Sequence, residues 1–414
     1  MISPARRLAF KVLLRIESGK HFSDDLLNSS AMEELELRDR RLTTEIVYGT
    51  LRLQGLLDYV LAPLSAKPWA DVEREPKILL RMSLYQLWHM DRIPDHALVN
   101  DAVELAKSRG KGIDRFVNAI LRRLTGARPW RDEDFLRNAP PWVRVSLPEW
   151  LWRRWAERFG ESAAFEYGSA LNRPPRAAFR LSEEAVSETL SDLVPGAGIA
   201  PDKSWDVQYQ DEASQLIPHL LGASAGWKVW DTCAAPGGKA AILDSICGES
   251  GMVVASDLKM GRVLRMAEML KGRLHMMVLD AAQPAPFRSG FDAVLADVPC
   301  SGLGTLRRNP EIKWRFRPEE FPALQKRQIR ILESVAETVR IGGRLLYSTC
   351  STEPEENEQV VESFLRSHPE FGPEAPSSPP GITGWVGSDL YVRTFPGSRL
   401  WDGFFAALMI RKCK

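Results

Sequence analysis

Hydrophobic residues recur every three or four positions over the first 125 residues or so, a spacing that predicts helices. Ser3 and Pro4 form a typical helix start. The apolar positions that follow at helical spacing are Ala5, Leu8, Ala9, Val12, Leu13 and Ile16. The stretches EPKILLRMSLYQLWHM, ALVNDAVELAK and IDRFVNAILRRL predict three more helices. Residues 1–130 are therefore expected to form an all-α domain.

A stretch rich in proline and tryptophan, NAPPWVRVSLPEW, comes next and predicts a domain boundary. Beyond it the pattern is helical, and it then alternates like a strand in PPRAAFRLS. Residues 131–205 are expected to hold a linker and a small α/β connector.

From residue 226 short apolar runs alternate with helical stretches. The runs WKVWD, MVVASD, HMMVLD and FDAVLAD each end in aspartate. A long helix, about PALQKRQIRILESVAETVRIGG, precedes a last run, RLLYSTC. This alternation is typical of βαβ units, so residues 206–414 are expected to form an α/β domain with a mostly parallel sheet. Ligands of such sheets bind at the carboxyl ends of the strands, where the aspartates, Cys300 and Cys350 fall.

Composition narrows the class of protein. The chain has 414 residues, 44% of them hydrophobic and 26% charged, as in a globular protein of two or three domains. Its five unclustered cysteines indicate neither a disulfide framework nor a metal site and favour the reducing cytoplasm. No apolar run is long enough to span a membrane. The protein is expected to be a monomer. The net charge is +1, but residues 1–130 hold 21 Lys and Arg against 17 Asp and Glu, so any RNA-binding surface must be local.

The stretch DTCAAPGGK, residues 231–239, forms a turn between a strand and a helix. Gly237 and Gly238 allow a ligand to approach the backbone closely. The turn matches neither the dinucleotide nor the Walker pattern. Asp257 can accept ribose hydroxyls and Asp280 lies where an adenine would be in reach. A single aspartate at a strand end is more often a helix cap, but three in succession around a glycine turn favour a nucleoside ligand.

These segments, together with ADVPCSGLGTLRRNPEIKW and YSTCSTEPEEN, resemble the Sun-type family of RNA cytosine-5 methyltransferases. The resemblance implies a Rossmann-like methyltransferase domain with a seven-stranded sheet and S-adenosyl-L-methionine as cofactor. The implied cofactor-binding residues are Cys233, Ala234, Ala235, Pro236, Gly237, Gly238, Lys239, Asp257, Asp280 and Asp297. Asp257 would bind the ribose, Asp280 would lie by the adenine, and Asp297 would lie between the methionine end and the target base. Val298 departs conservatively from the alanine that the family often has.

The stretch ALVNDAVELAK, a basic break and FVNAILRRL resemble the end of a NusB-like domain, which implies RNA binding. Together the two resemblances imply cytosine methylation in ribosomal RNA of the small subunit, 16S rRNA.

Carbon 5 of cytosine is a poor nucleophile, and a thiolate that adds to carbon 6 makes it electron-rich. The residues alone leave open which cysteine attacks. DNA cytosine methyltransferases use the Cys of a Pro-Cys pair, which corresponds to Cys300. The Sun-type resemblance implies instead that Cys350 is the nucleophile and that Cys300 helps the methylated base to leave. Asp297 is expected to stabilise the electron-rich base.

Basic and aromatic residues interleave in LRRNPEIKWRFRPEE, a mix that suits contact with phosphates and bases. The residues predicted to bind RNA are Arg307, Arg308, Lys313 and Trp314. A solvated charged loop is the plainer interpretation. Two other functions stay open: a NusB-like ribosome-assembly factor with an inactive methyltransferase fold, and a DNA cytosine methyltransferase, although no DNA-recognition domain is evident.

Overall fold

The computed structural model describes residues 2–90, 93–180, 190–200, 209–270, 274–287, 290–395 and 401–413. The expected boundary at 205/206 lies outside these residues. The helices are α1 Pro4–Glu17, α2 Ser23–Leu27, α3 Ser30–Glu33, α4 Leu37–Arg52, α5 Gln54–Leu61, α6 Arg74–His89, α7 Asp95–Lys107, α8 Ile113–Ala127, α9 Glu133–Arg137, α10 Pro141–Arg144, α11 Glu149–Phe159, α12 Glu161–Leu171, α13 Glu212–Leu220, α14 Gly238–Cys247, α15 Met260–Met269, α16 Ile312–Arg315, α17 Phe321–Ala336 and α18 Glu358–Ser367. The strands are β1 Ala177–Arg180, β2 Ala197–Ala200, β3 Lys228–Asp231, β4 Met252–Asp257, β5 His275–Val278, β6 Phe291–Asp297, β7 Val339–Thr349, β8 Phe371–Glu374, β9 Val392–Arg393 and β10 Phe405–Arg411.

The chain divides into two compact units. The helical unit comprises residues 1–174 and 306–315, and the α/β unit comprises residues 175–305 and 316–414. This division differs from the expected one at residue 130, because residues 131–174 belong to the helical unit. The described part of the expected connector is thus divided between the two units, with β1 and β2 in the α/β unit.

The helical unit is built around one core of apolar side chains from α1, α4, α5, α6, α7 and α8. In α1 the predicted apolar stripe is the buried face: Ala9, Leu13 and Ile16 are at most 2% exposed. The three other helices predicted from the pattern correspond to α6, α7 and α8. The all-α prediction for the first domain is thus confirmed.

The proline-rich stretch at 138–150 is not the boundary that its composition predicted. Val145 and Leu147 are buried, and the Ser146 hydroxyl accepts a hydrogen bond of 3.0 Å from the Gly55 backbone N–H. Proline here starts the short helix α10.

The α/β unit contains a sheet with strand order β5-β4-β3-β6-β7-β10-β8, and β9 pairs with β10. Strands β5, β4, β3, β6 and β7 run parallel, while β10 is antiparallel to β7, β8 and β9. The predicted mostly parallel α/β sheet is confirmed. The described residues give eight strands rather than seven, the extra one being the two-residue β9.

Helices cover both faces of the sheet. Residues of α17 and α18, such as Val335 and Phe364, pack with Tyr347 on one side. On the other, Leu216 of α13 and Leu243 of α14 pack in a second cluster. This sandwich fixes the strands, and therefore the loops that leave their carboxyl ends.

Strand β7 begins earlier than the helical pattern suggested. The predicted helix ran on to residue 343, whereas α17 ends at Ala336 and β7 starts at Val339. Val339 pairs with Phe291 of β6, and pairing with a central strand outweighs weak helical periodicity at this end.

Candidate active site

The functional side chains collect at one edge of the parallel sheet. Strands β3, β4 and β6 end at Asp231, Asp257 and Asp297, as the sequence predicted. Asp280 lies two residues beyond the end of β5 and is half-buried. Because these strands are parallel neighbours, their ends lie side by side.

The turn after β3 has glycines at two positions where another residue would be strained or would clash with a neighbouring side chain. Gly237 has φ +109°, a left-handed conformation that other residues rarely adopt. A Cβ on Gly238 would lie 2.6 Å from the Gln210 Oε1 atom. A concave site results. It is lined by Tyr209, Gln210, Ser214, Asp231, Cys233, Ala234, Ala235, Pro236, Gly238, Lys239 and Asp297.

The far wall of this site was missed by the sequence analysis. Gln210 is held by its backbone N–H, which donates to the Ala178 carbonyl of β1, and Tyr209 forms an isolated bridge with Phe179. Both belong to the stretch VQYQDEASQLIPHLL, in which no site residue was predicted. The local sequence pattern does not distinguish polar residues that line a binding site from other polar residues before a helix.

One carboxylate in this site is buried without a hydrogen-bond donor. Asp231 is fully buried, and neither of its side-chain oxygens has a hydrogen-bond partner. Burial raises the pKa of Asp231 to about 7, and the negative charge of Asp297 adds to the rise, while the positive charge of Lys239 opposes it. A positively charged ligand would supply the missing partner.

Lys239 is the cation of the site. Its Nζ lies 2.8 Å from Asp297 Oδ2, and the Ser348 hydroxyl donates to Asp297 Oδ1 at 2.7 Å. Burial favours a lower pKa for Lys239, but Asp297 outweighs it and raises that pKa. Burial raises the pKa of Cys233 to about 12, although a hydrogen bond with Thr232 opposes the rise, so this thiol stays neutral.

Asp257 is 3% exposed and already has a partner. Arg262 Nη1 lies 3.2 Å from Asp257 Oδ2, and Arg262 Nη2 donates to the Ala235 carbonyl at 2.8 Å. The Lys259 backbone N–H donates to Asp257 Oδ1 at 3.2 Å. Arg262 thus ties the glycine turn to the end of β4, a link between distant residues that no motif showed.

Cys300 and Cys350 meet although fifty residues separate them. Cys350 directly follows β7, Cys300 follows β6 by three residues, and the two sulfur atoms lie 3.2 Å apart. Contact with Cys350, followed by burial, raises the pKa of Cys300 well above its usual value. Cys247, in contrast, is buried in the core and Cys413 is exposed.

Residues 306–315, which include the four residues predicted to bind RNA, belong to the helical unit, and much of this segment is buried there. Arg307 is 1% and Lys313 0% exposed, whereas Arg308 and Trp314 are half-buried. Lys313 Nζ donates to the carbonyls of Arg52 and Ser146 at 3.0 and 3.2 Å. The side chains of Arg307 and Lys313 therefore do not face solvent in this structure, and RNA binding by the four predicted residues stays a prediction.

The same segment is anchored at further points within the helical unit. Trp314 Nε1 donates to the Leu51 carbonyl at 3.0 Å. Glu311 accepts hydrogen bonds from the backbone N–H and the hydroxyl of Ser23, at 2.8 and 2.9 Å. Lys313 and Trp314 thus serve packing and hydrogen bonding inside the unit.

The described residues include neither a membrane-spanning helix nor a cluster of metal-ligating side chains. No helix among them is long and apolar enough to cross a membrane. Within those same ranges, no group of three or more His, Cys, Asp and Glu side chains could hold a metal ion.

Fold and site define a methyltransferase-type α/β domain joined to a NusB-type helical domain. A family model described as 16S rRNA methyltransferase RsmB/F matches residues 219–410, and the NusB family matches residues 3–126. The probable ribosomal RNA small subunit methyltransferase B of Bacillus subtilis is 34% identical, with 98% of each chain covered. The ribosomal RNA small subunit methyltransferase B of Thermus thermophilus is 36% identical, covering 98% of this chain and 97% of its own.

The chain therefore belongs to the RsmB/F family of 16S rRNA methyltransferases. The resemblance seen in the motifs is confirmed. A crystal structure titled PH0851 has the same fold over 99% of both chains, with a TM-score of 0.81 and 25% identity.

Proposed function

We propose that this protein transfers a methyl group from S-adenosyl-L-methionine to carbon 5 of a cytosine in small-subunit ribosomal RNA, through a covalent bond between Cys350 and the base. The observation that carries the proposal is the pair of thiols 3.2 Å apart beside Asp297 at the carboxyl edge of the sheet. A methyltransferase acting on oxygen or on an exocyclic nitrogen needs no such pair.

The glycine-turn site fits S-adenosyl-L-methionine. This molecule carries positive charge on its sulfonium and amino groups, and the buried Asp231 carboxylate lacks a hydrogen-bond partner. The residues that would hold it are those of the turn from Cys233 to Lys239, with Asp257 at the ribose and Asp280 by the adenine. When bound, it supplies an electrophilic methyl group.

Cys350 performs the attack in this proposal. Its thiolate adds to carbon 6 of the cytosine, and carbon 5 becomes electron-rich and takes the methyl group. A base then removes the proton from carbon 5, and the bond between carbon 6 and sulfur breaks to release the thiolate and 5-methylcytosine. The geometry supports cooperation between them, because the two sulfur atoms lie 3.2 Å apart and the thiol that keeps its proton can donate to the other sulfur.

Asp297 and Cys300 complete the reaction in supporting roles. Asp297 accepts from Ser348 and pairs with Lys239, so its carboxylate is fixed where it can bond the base. Cys300 assists the elimination. The target base must be unpaired or flipped, since stacking hides carbons 5 and 6.

Ribosomal RNA as the substrate is supported by the names of the relatives and by the helical unit, which resembles RNA-binding NusB domains. A substrate of this kind also implies a cytoplasmic protein. The alternative, a ribosome-assembly factor with an inactive methyltransferase fold, predicts RNA binding without methyl transfer.

A denaturing gel tests the proposal. Cys300→Ala, incubated with small-subunit ribosomal RNA and S-adenosyl-L-methionine, should form a nuclease-sensitive covalent complex because elimination is hindered. Cys350→Ala should form none and should be inactive, and Cys413→Ala is the matched control. An adduct with Cys350→Ala but not with Cys300→Ala would exchange the roles, and two active mutants without adduct would refute the covalent mechanism.

A further inference from the structure

A buried carboxylate behind the two cysteines has no part in the reaction described above. Glu356 is 0% exposed and lies six residues beyond Cys350. Its carboxylate accepts four hydrogen bonds. They come from the Ser301 N–H at 2.8 Å, the Ser301 hydroxyl at 2.5 Å, the Ser351 hydroxyl at 2.6 Å and Gln328 Nε2 at 3.0 Å.

The donors are the chain neighbours of the reactive thiols. Ser301 follows Cys300 directly, and Ser351 follows Cys350 directly. The two serine hydroxyls lie 3.2 Å apart, joined by the same carboxylate. Glu356 therefore holds together two loops that leave different strands.

The fourth donor fastens the other side of the Cys300 loop. Gln328 is fully buried, and its Nε2 also donates to the carbonyl of Pro299 at 3.1 Å. Cys300 thus lies between two residues, Pro299 and Ser301, that are both fixed through the Glu356 network.

We propose that Glu356 is a positioning residue that sets the separation of the Cys300 and Cys350 sulfur atoms. The consequence for catalysis rests on the proposed function, in which the two thiols act in turn on one base. A shift of one loop by about 1 Å would cost that cooperation far more than it would cost the fold.

The chemistry of the group supports this assignment. Burial raises the pKa of Glu356, although its hydrogen bonds oppose the rise. Placing a carboxylate in the interior is costly, and an apolar side chain could fill the same space. What an apolar side chain could not do is bond both serines at once.

The identity of the side chain gives a sharp set of variants. Glutamine has the same shape: its oxygen can accept from the Ser301 N–H and Gln328, and its amide can donate to the serine hydroxyls, which rotate to accept. Glu356→Gln should therefore preserve the link, whereas Glu356→Ala removes it.

The separation of the thiols can be measured without substrate. Diamide oxidises two neighbouring thiols to a disulfide, and mass spectrometry after alkylation follows the Cys300–Cys350 bond with time. The full-length wild type and Glu356→Gln should form it at similar rates, and Glu356→Ala at least about ten-fold more slowly. Glu374→Ala, which removes a carboxylate paired with Arg344 by a 2.8 Å salt bridge, is the control and should react like the wild type.

Two outcomes would overturn the assignment: a cooperatively folded Glu356→Ala that forms the disulfide as fast as the wild type, or a Glu356→Gln as slow as Glu356→Ala. If Glu356→Ala does not fold, the paired variant Ser301→Ala with Ser351→Ala removes the hydroxyl links instead and should also react slowly; a wild-type rate there would equally refute it. Because the measurement needs neither RNA nor cofactor, its result stands apart from the adduct test of the proposed function.

Discussion

Lys239 Nζ lies 2.8 Å from Asp297 Oδ2, so the last residue of the glycine turn neutralises the last residue of β6. This pairing leaves Asp231 as a fully buried carboxylate whose oxygens have no hydrogen-bond partner. The site thus holds an uncompensated acid where a positively charged ligand is proposed to bind, and this arrangement has measurable consequences.

Asp231 should make the ligand-free protein less stable as the pH rises. Its pKa is 3.8 ordinarily and about 7 when folded. Between these values the folded state binds the extra proton, so the free energy of unfolding falls with pH and levels off above pH 7. Asp231→Asn should remove this loss, on the order of 3–4 kcal/mol between pH 4 and 8. Urea unfolding at several pH values checks it, and parallel pH profiles for wild type and variant would contradict it.

Asp257→Ala should weaken binding of S-adenosyl-L-methionine. Loss of charge-assisted hydrogen bonds to the ribose should cost about 1.5–3 kcal/mol, or on the order of 10- to 150-fold in affinity. Isothermal titration calorimetry on the folded variant measures this. Asp292→Ala is the matched control, because Asp292 pairs with Arg340 at the opposite end of β6. Equal affinities for the wild type and Asp257→Ala would exclude Asp257 from the cofactor site.

Lys313→Ala should lower stability and leave RNA affinity nearly unchanged. Its removal leaves the carbonyls of Arg52 and Ser146 without their donor, at a cost of about 1–3 kcal/mol for each buried group. Arg317→Ala is the matched variant, since Arg317 is exposed in the same charged stretch. It should be neutral in urea unfolding and reduce the salt-dependent affinity for RNA. A stable Lys313→Ala that binds RNA weakly would restore the solvent-facing interpretation.

The ends of the strands were predictable because they depend on local pattern. An apolar run stopped by aspartate marks β3, β4 and β6, and parallel pairing brings those ends together without further information. The meeting of Cys300 and Cys350 follows in the same way from their positions after neighbouring strands.

Burial within a charged stretch was not predictable. Lys313 and Arg317 are four positions apart in LRRNPEIKWRFRPEE, yet one is fully buried and the other exposed. What decides between them is a pair of carbonyls 261 and 167 residues away along the chain. Arg262 was missed for the same reason, because its value lies in a contact with Ala235 and Asp257 that only the fold creates.

The segment at 306–315 also delays completion of the helical unit during translation. Ser23 is hydrogen-bonded to Glu311, which lies 288 residues later in the chain. At elongation rates of about 5–20 residues per second, the ribosome needs roughly 15–60 s to cover that distance. During this interval residues 306–315 of the helical unit have not been synthesised. Ser23 and the Leu51 carbonyl therefore lack their hydrogen-bond partners, Glu311 and Trp314. The first-made helices must therefore persist on their own apolar core, and this delay is when chaperones would have access to them.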